Sequence, residues 1–91
     1  MQPSITAESA EILALEALGW LAGQDEPLGR FLQVSGFEPA ALRAGAGSPG
    51  VGLAVMEFLL MDEVLLVAFC DATGTPPRTL HAARQRLEEV A

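Results

Sequence analysis

The stretch Val51-Gly52-Leu53-Ala54-Val55-Met56-Glu57-Phe58-Leu59-Leu60-Met61-Asp62-Glu63-Val64-Leu65-Leu66-Val67-Ala68-Phe69-Cys70 decides the fold. Sixteen of its twenty positions are apolar, and from Val51 to Met61 they occupy almost every angle of a helical wheel, so periodicity alone does not separate a helix from a buried strand. Composition does. The run is rich in Leu, Met and Ala, which favour helix, and no strand-rich partner segment occurs elsewhere for a sheet to pair with. Asp62 is placed to cap or kink the run, which predicts two helices or one bent one. A membrane span is disfavoured, because Glu57, Asp62 and Glu63 fall inside it and each acid costs roughly 2.5 to 3.5 kcal/mol at a bilayer centre.

Upstream, Ala10, Leu13, Ala14, Ala17, Leu18, Trp20 and Leu21 share one broad helical face, with Thr6 as the cap and Glu8 near the positive end of the helix dipole. Gly23 to Pro27 reads as a stop followed by a new start, launching a short helix through Leu28, Phe31 and Leu32 that ends at Gly36. Glu38-Pro39 starts a third, brief helix to Leu42 and Arg43. Residues Ala44 to Gly52 hold four glycines and a proline, which predicts a turn until Ser48-Pro49 opens the central segment. Downstream, Gly74 closes that segment and Pro76-Pro77 opens a last helix whose stripe is Leu80, Ala83, Leu87 and Val90. The expectation is an all-α, compact single-domain bundle of five or six short helices over residues 1–91, with residues 1–5 flexible.

Length and charge narrow the function classes. Ninety-one residues hold one core, and 51% apolar against 19% charged residues argues against disorder. Twelve acids against five arginines, with no lysine, give a net charge of -7, which repels a nucleic-acid backbone and an anionic membrane surface. Cys70 is the sole cysteine, so no internal disulfide forms, and the first residues carry no readable signal peptide. The expected compartment is the cytoplasm. The lack of Lys, Asn and Tyr beside abundant Ala, Gly and Arg reads as the codon usage of a GC-rich, bacterial genome.

Four patterns invite a chemical reading. Gly45-Ala46-Gly47-Ser48-Pro49-Gly50 has the G-x-G-x-x-G spacing of a dinucleotide loop, but the segment before it, Pro39 to Ala44, is helix-like where a strand is required. Its amides near Gly50 and Val51 leave bare anion capture open. Cys70 and His81 would make a nucleophile and base, yet Cys70 ends an apolar run, where a thiol behaves as a small hydrophobe, and His81 falls on a solvated side of the last helix. Glu57, Asp62, Glu63 and Asp71 match no metal-ligand spacing. Arg78, Arg84 and Arg86, offset by Glu88 and Glu89, form only a weak basic patch, explained by helix-dipole and i,i+4 pairing. No cofactor, metal or catalytic residue is assigned.

The remaining signal is apolar excess. Two adjacent hydrophobic segments and a broad first helix offer more apolar surface than one small bundle readily encloses. Either all of it closes a single core, or part is covered by a partner. The residues expected at such an interface are Ile12, Leu15 and Trp20 on the first helix and Met56, Phe58 and Met61 in the central segment. The expected function is a non-enzymatic protein-interaction or homo-oligomeric module whose partner is another protein or a second copy. The alternative is a small-molecule or anion-binding protein or a minor enzyme.

Leu28-Gly29-Arg30-Phe31-Leu32, then Ser35-Gly36-Phe37-Glu38-Pro39, and later Phe58 to Glu63 with Leu66-Val67-Ala68-Phe69-Cys70 resemble a family of small alphaproteobacterial proteins classed as a domain of unknown function. The resemblance covers roughly Glu11 to Asp71, and its most specific part is the run ending in Phe-Cys after an acidic pair. It implies a short, cytoplasmic, α-helical protein with no assigned activity. The company its relatives keep with genes for cell-cycle response regulators implies a setting in bacterial regulation.

Overall fold

The computed structural model describes residues 5–91, and within them the chain forms six helices: α1 (Ala7–Ala22), α2 (Asp25–Ser35), α3 (Pro39–Ala44), α4 (Pro49–Met61), α5 (Glu63–Thr73) and α6 (Pro77–Val90). No strand occurs among the described residues. The ends follow local chemistry. The Thr6 hydroxyl accepts the Ser9 amide at 3.0 Å and the Ser48 hydroxyl accepts that of Val51 at 3.3 Å, each satisfying one orphan donor of a first turn. Gly36 (φ 76°) and Gly74 (φ 71°) close α2 and α5 in the left-handed conformation that a side chain disfavours. The ambiguous run is two helices. Asp62 leaves helical geometry (φ -121°, ψ 99°), ends α4, and starts α5 by accepting the Leu65 amide at 3.1 Å.

Three helices make the centre. α4 lies against both α6 and α1, and α1 against α6. Their close approach depends on small residues: Ala10, Ala14 and Ala17 are buried on α1, and facing them Gly52 of α4 is buried as well. A Cβ placed on Gly52 would stand 3.0 Å from Ala14 Cβ and 3.4 Å from Leu87 Cδ1, inside normal carbon contact distance. Around this centre Leu21, Phe31, Val55, Met56, Leu59, Phe69, Leu80 and Leu87 are fully enclosed, and among the described residues no polar or charged one is buried. Truncating one such side chain, Leu59→Ala for example, costs about 2 to 5 kcal/mol.

α2 and α5 attach to the centre through aromatic contacts. Phe31 of α2 meets Phe58 of α4 edge-on at 5.3 Å, and Phe69 of α5 meets Trp20 of α1 edge-on at 5.5 Å. Such pairs contribute about 0.5 to 1.5 kcal/mol beyond their buried area. Ile5, grouped with the flexible end by the sequence, is tied down: its carbonyl accepts the Arg86 Nε–H at 3.0 Å and its side chain packs on the core. Residues 1–4 lie outside the described residues.

The radius of gyration is 12.1 Å, about the value expected of one compact domain of this length. The accessible surface, 5274 Å², is likewise near the roughly 5,000 Å² of a folded 9.5 kDa monomer. The bundle therefore encloses most of what the composition made seem surplus, and this corrects part of the expected interface. Met56 is completely buried and Phe58 nearly so, Phe58 forming the aromatic bridge to α2. Both are core. Trp20 is half-buried and holds α5, so its ring serves the fold rather than a free face.

Candidate functional site

Of the six residues expected at an interface, Ile12, Leu15 and Met61 face water, at 61%, 50% and 72% exposure. They do not form one patch: Met61 stands at the lip of one hollow, while Ile12 and Leu15 lie on α1 outside the lining of either.

The first hollow lies between α1, α2 and α3. It measures about 440 Å³ and is lined by Leu18, Gly19 and Ala22 of α1, Leu28 and Leu32 of α2, and Pro39, Leu42 and Arg43 at α3, with Ala46 beyond. Arg43 is the one charged side chain in that lining. Two small residues open it: neither Gly19 nor Ala22 carries a side chain long enough to reach across to α2. On α1, Ile12, Leu15, Gly19 and Ala22 fall within an arc of about 80° at 3.6 residues per turn. Ile12 and Leu15 thus extend the apolar lining of the hollow along the helix toward its N-terminus. The result is an apolar strip leading into an apolar groove, with Ile12 and Leu15 left exposed by the described residues.

The second hollow, about 600 Å³, lies between α2, α4 and α6. Phe31, Phe58 and Ala54 make its floor, Val34 and Met61 its exposed lips, and Glu57, His81 and Arg84 its polar wall. That wall is already matched in charge. Arg84 stands 3.2 Å from Glu88 and 3.9 Å from Glu57, so the arginine of this groove is not free for a ligand carboxylate or phosphate. The pairing of Arg84 with Glu88 is the i,i+4 contact read from the sequence.

The other chemical patterns resolve locally. Gly45 to Ser48 forms a tight turn after a helix, α3, and not after a strand, so the context of a dinucleotide fingerprint is missing. A Cβ on Gly45 would stand 3.3 Å from the Ala41 carbonyl oxygen and 3.4 Å from Val51 Cγ2, which accounts for the glycine without a ligand. The Val51 amide, one of those considered for an anion, is occupied by the Ser48 hydroxyl. Cys70 is buried, and that burial, with Asp71 beside it, pushes its thiol above the ordinary range. His81 lies exposed on α6 at the second hollow, whose lining does not include Cys70. Among the described residues no three His, Cys, Asp or Glu side chains converge on a point that could hold a metal ion. No described helix is long and apolar enough to cross a membrane.

Sequence reasoning missed the walls of the first hollow. Leu28 and Leu32 are four apart and were legible as an apolar stripe, but nothing in their spacing says that the stripe is only half covered. The available signal was on the other side: on the arc of α1 that Ile12 and Leu15 begin, Gly19 and Ala22 replace bulky side chains with small ones.

Comparison with curated proteins and with solved structures returns no match to this chain. One family model does match, over residues 7–90, which takes in all six helices. The chain therefore belongs to the family described as "Protein of unknown function (DUF3572)".

Proposed function

We propose that this protein is a non-enzymatic docking module that receives a segment of another protein on the Ile12–Leu15 strip and in the groove between α1, α2 and α3. The observation that carries this reading is the continuity of the two: exposed Leu15 lies on the same arc of α1 as Gly19 and Ala22, which form one wall of the groove. Apolar lining with a single charged group suits the helix-in-groove mode, in which two to four side chains of a partner helix fill the hollow and the strip continues the contact. Its 440 Å³ accommodates a few such side chains. The second hollow supports the alternative of small-molecule binding less well, since its arginine is held by two carboxylates.

A photo-reactive phenylalanine analogue at position 15, expressed in the native cell, tests this reading. The expected result is a covalent adduct with one defined protein that disappears when Ile12→Ser is added and is not formed from a probe at exposed Gln85. Adducts of the same proteins from both positions, or none from position 15, would overturn it; an adduct of the chain with itself would replace the foreign partner by a second copy.

A further inference from the structure

We infer that the segment received by this groove is a basic amphipathic helix, an inference that rests on the docking reading above and adds the chemistry of the partner. Three glutamates frame the apolar strip. At 100° per residue Glu8 continues it toward the N-terminus, while Glu11 and Glu16 flank it on opposite sides. α1 contains no basic residue.

These acids are also left without a cation. Of the five arginines, Arg30 is engaged by Glu26 and Asp62, Arg84 by Glu57 and Glu88, and Arg86 by Glu89; among the described residues none reaches Glu8, Glu11 or Glu16. Glu8 has a local role in the first turn, where the helix dipole favours an acid. Glu11 and Glu16 lie beyond that turn and have none. An apolar strip bordered by uncompensated negative charge is complementary to a helix with apolar residues at i, i+3, i+4 and i+7 and Lys or Arg beside them.

The same charges argue against a second copy as occupant. Stacking this face on itself would bring six glutamates together in a molecule that already carries -7, and like charges across an interface oppose association. Arg43, inside the groove, gives the partner a direction: its cations lie over the α1 end and an acid or neutral polar group lies over Arg43.

The experiment titrates four 18-residue peptides into the isotope-labelled full chain and follows backbone amide resonances. One peptide carries the amphipathic leucine pattern with Lys and Arg between; two keep the leucines with Gln or with Glu between; the fourth is the basic composition scrambled. The expected result is that the first alone shifts amides of residues 12–22 and 28–43, and that its affinity falls about tenfold or more between low and physiological salt. Affinity also falls about tenfold in the Glu8→Gln, Glu11→Gln, Glu16→Gln triple variant, checked as folded by its thermal transition. Equal affinity for the Gln or Glu peptide at the same residues, no binding of the basic peptide, or unchanged affinity in the triple variant would overturn the inference. If the Gln peptide binds as tightly and Leu15→Ser abolishes that binding, the docking surface stands and only the basic partner falls. If the basic peptide shifts resonances elsewhere and ignores Leu15→Ser, the docking surface falls too.

Discussion

Arg30 and Asp62, thirty-two residues apart, join three helices through one carboxylate. Asp62 Oδ2 accepts the Arg30 Nη1–H at 2.7 Å from α2, while its Oδ1 accepts the Leu65 amide that begins α5, at the point where α4 has just ended. The guanidinium lies over the Phe58 ring at 5.6 Å and reaches back to Glu26 at 3.3 Å through Nη2; its Nε, though near Glu26, is not aligned as a hydrogen bond. The break that divides the long apolar run is therefore also the place where α2 is fastened.

This contact sets an acid dependence. The Arg30 guanidinium foremost, and the Leu65 amide next, hold the Asp62 carboxyl below the usual carboxylate range, and Asp62 holds Arg30 cationic. A carboxylate lowered in the folded state adds stability above its unfolded pKa, and that contribution is lost as pH falls through the lower, folded value. We expect Asp62→Asn to melt below the parent at pH 7, with the gap closing as pH drops below about 4. Both side chains are partly in water, so 0.5 M NaCl should narrow the gap as well. Melting curves across pH check this; a gap that stays constant to pH 2 would rule the contact out as its source.

Two glycines should respond oppositely to the same change. Gly29, in α2, faces open space, so Gly29→Ala should gain about 0.5 to 1 kcal/mol from reduced backbone entropy in the unfolded chain. Gly52→Ala gains the same and loses more. Its methyl would meet the Ala14 Cβ, which cannot swing away because it is fixed to the α1 backbone, so α1 must move off α4. A net loss of about 1 kcal/mol or more is expected, at the low end of overpacking costs. Urea unfolding of both variants decides it.

Trp20 and Leu15 share α1 and should separate fold from docking. Trp20→Ala removes the edge-on contact to Phe69 and should cost about 2 kcal/mol, less than the roughly 3 to 5 of a fully buried case, because the ring is partly exposed. Leu15→Ser should change stability by less than about 0.5 kcal/mol, as exposed substitutions do, while abolishing the amide shifts that the basic peptide causes along α1. A Leu15→Ser variant that unfolds with Trp20→Ala would show the strip to be structural.

Cys70 should be slow to react. Its thiol is buried and raised in pKa by that burial and by the neighbouring Asp71, so little thiolate exists at pH 8 and reagents have little access. Alkylation by iodoacetamide should run at least about tenfold slower than for a free thiol in the native protein and recover fully in denaturant. Fast native labelling would mean that α5 opens from the core.

The helix ends were readable because capping is a matter of three or four residues. Thr6, Ser48-Pro49, Asp62, Gly36 and Gly74 act on amides and carbonyls within one turn, and each does in the structure what its position in the chain announced. The all-α class followed from the same local signals. Which apolar side chains stay outside could not follow from them. In α4 Phe58 and Met61 are three residues apart and share a helical face, yet one is enclosed by Phe31 and the other stands in water. A helix that is apolar all round has no outer face of its own. Its neighbours choose one, and they also choose where Gly19 and Ala22 leave a groove, because burial is a property of two surfaces meeting and a wheel drawn on one helix contains only one of them.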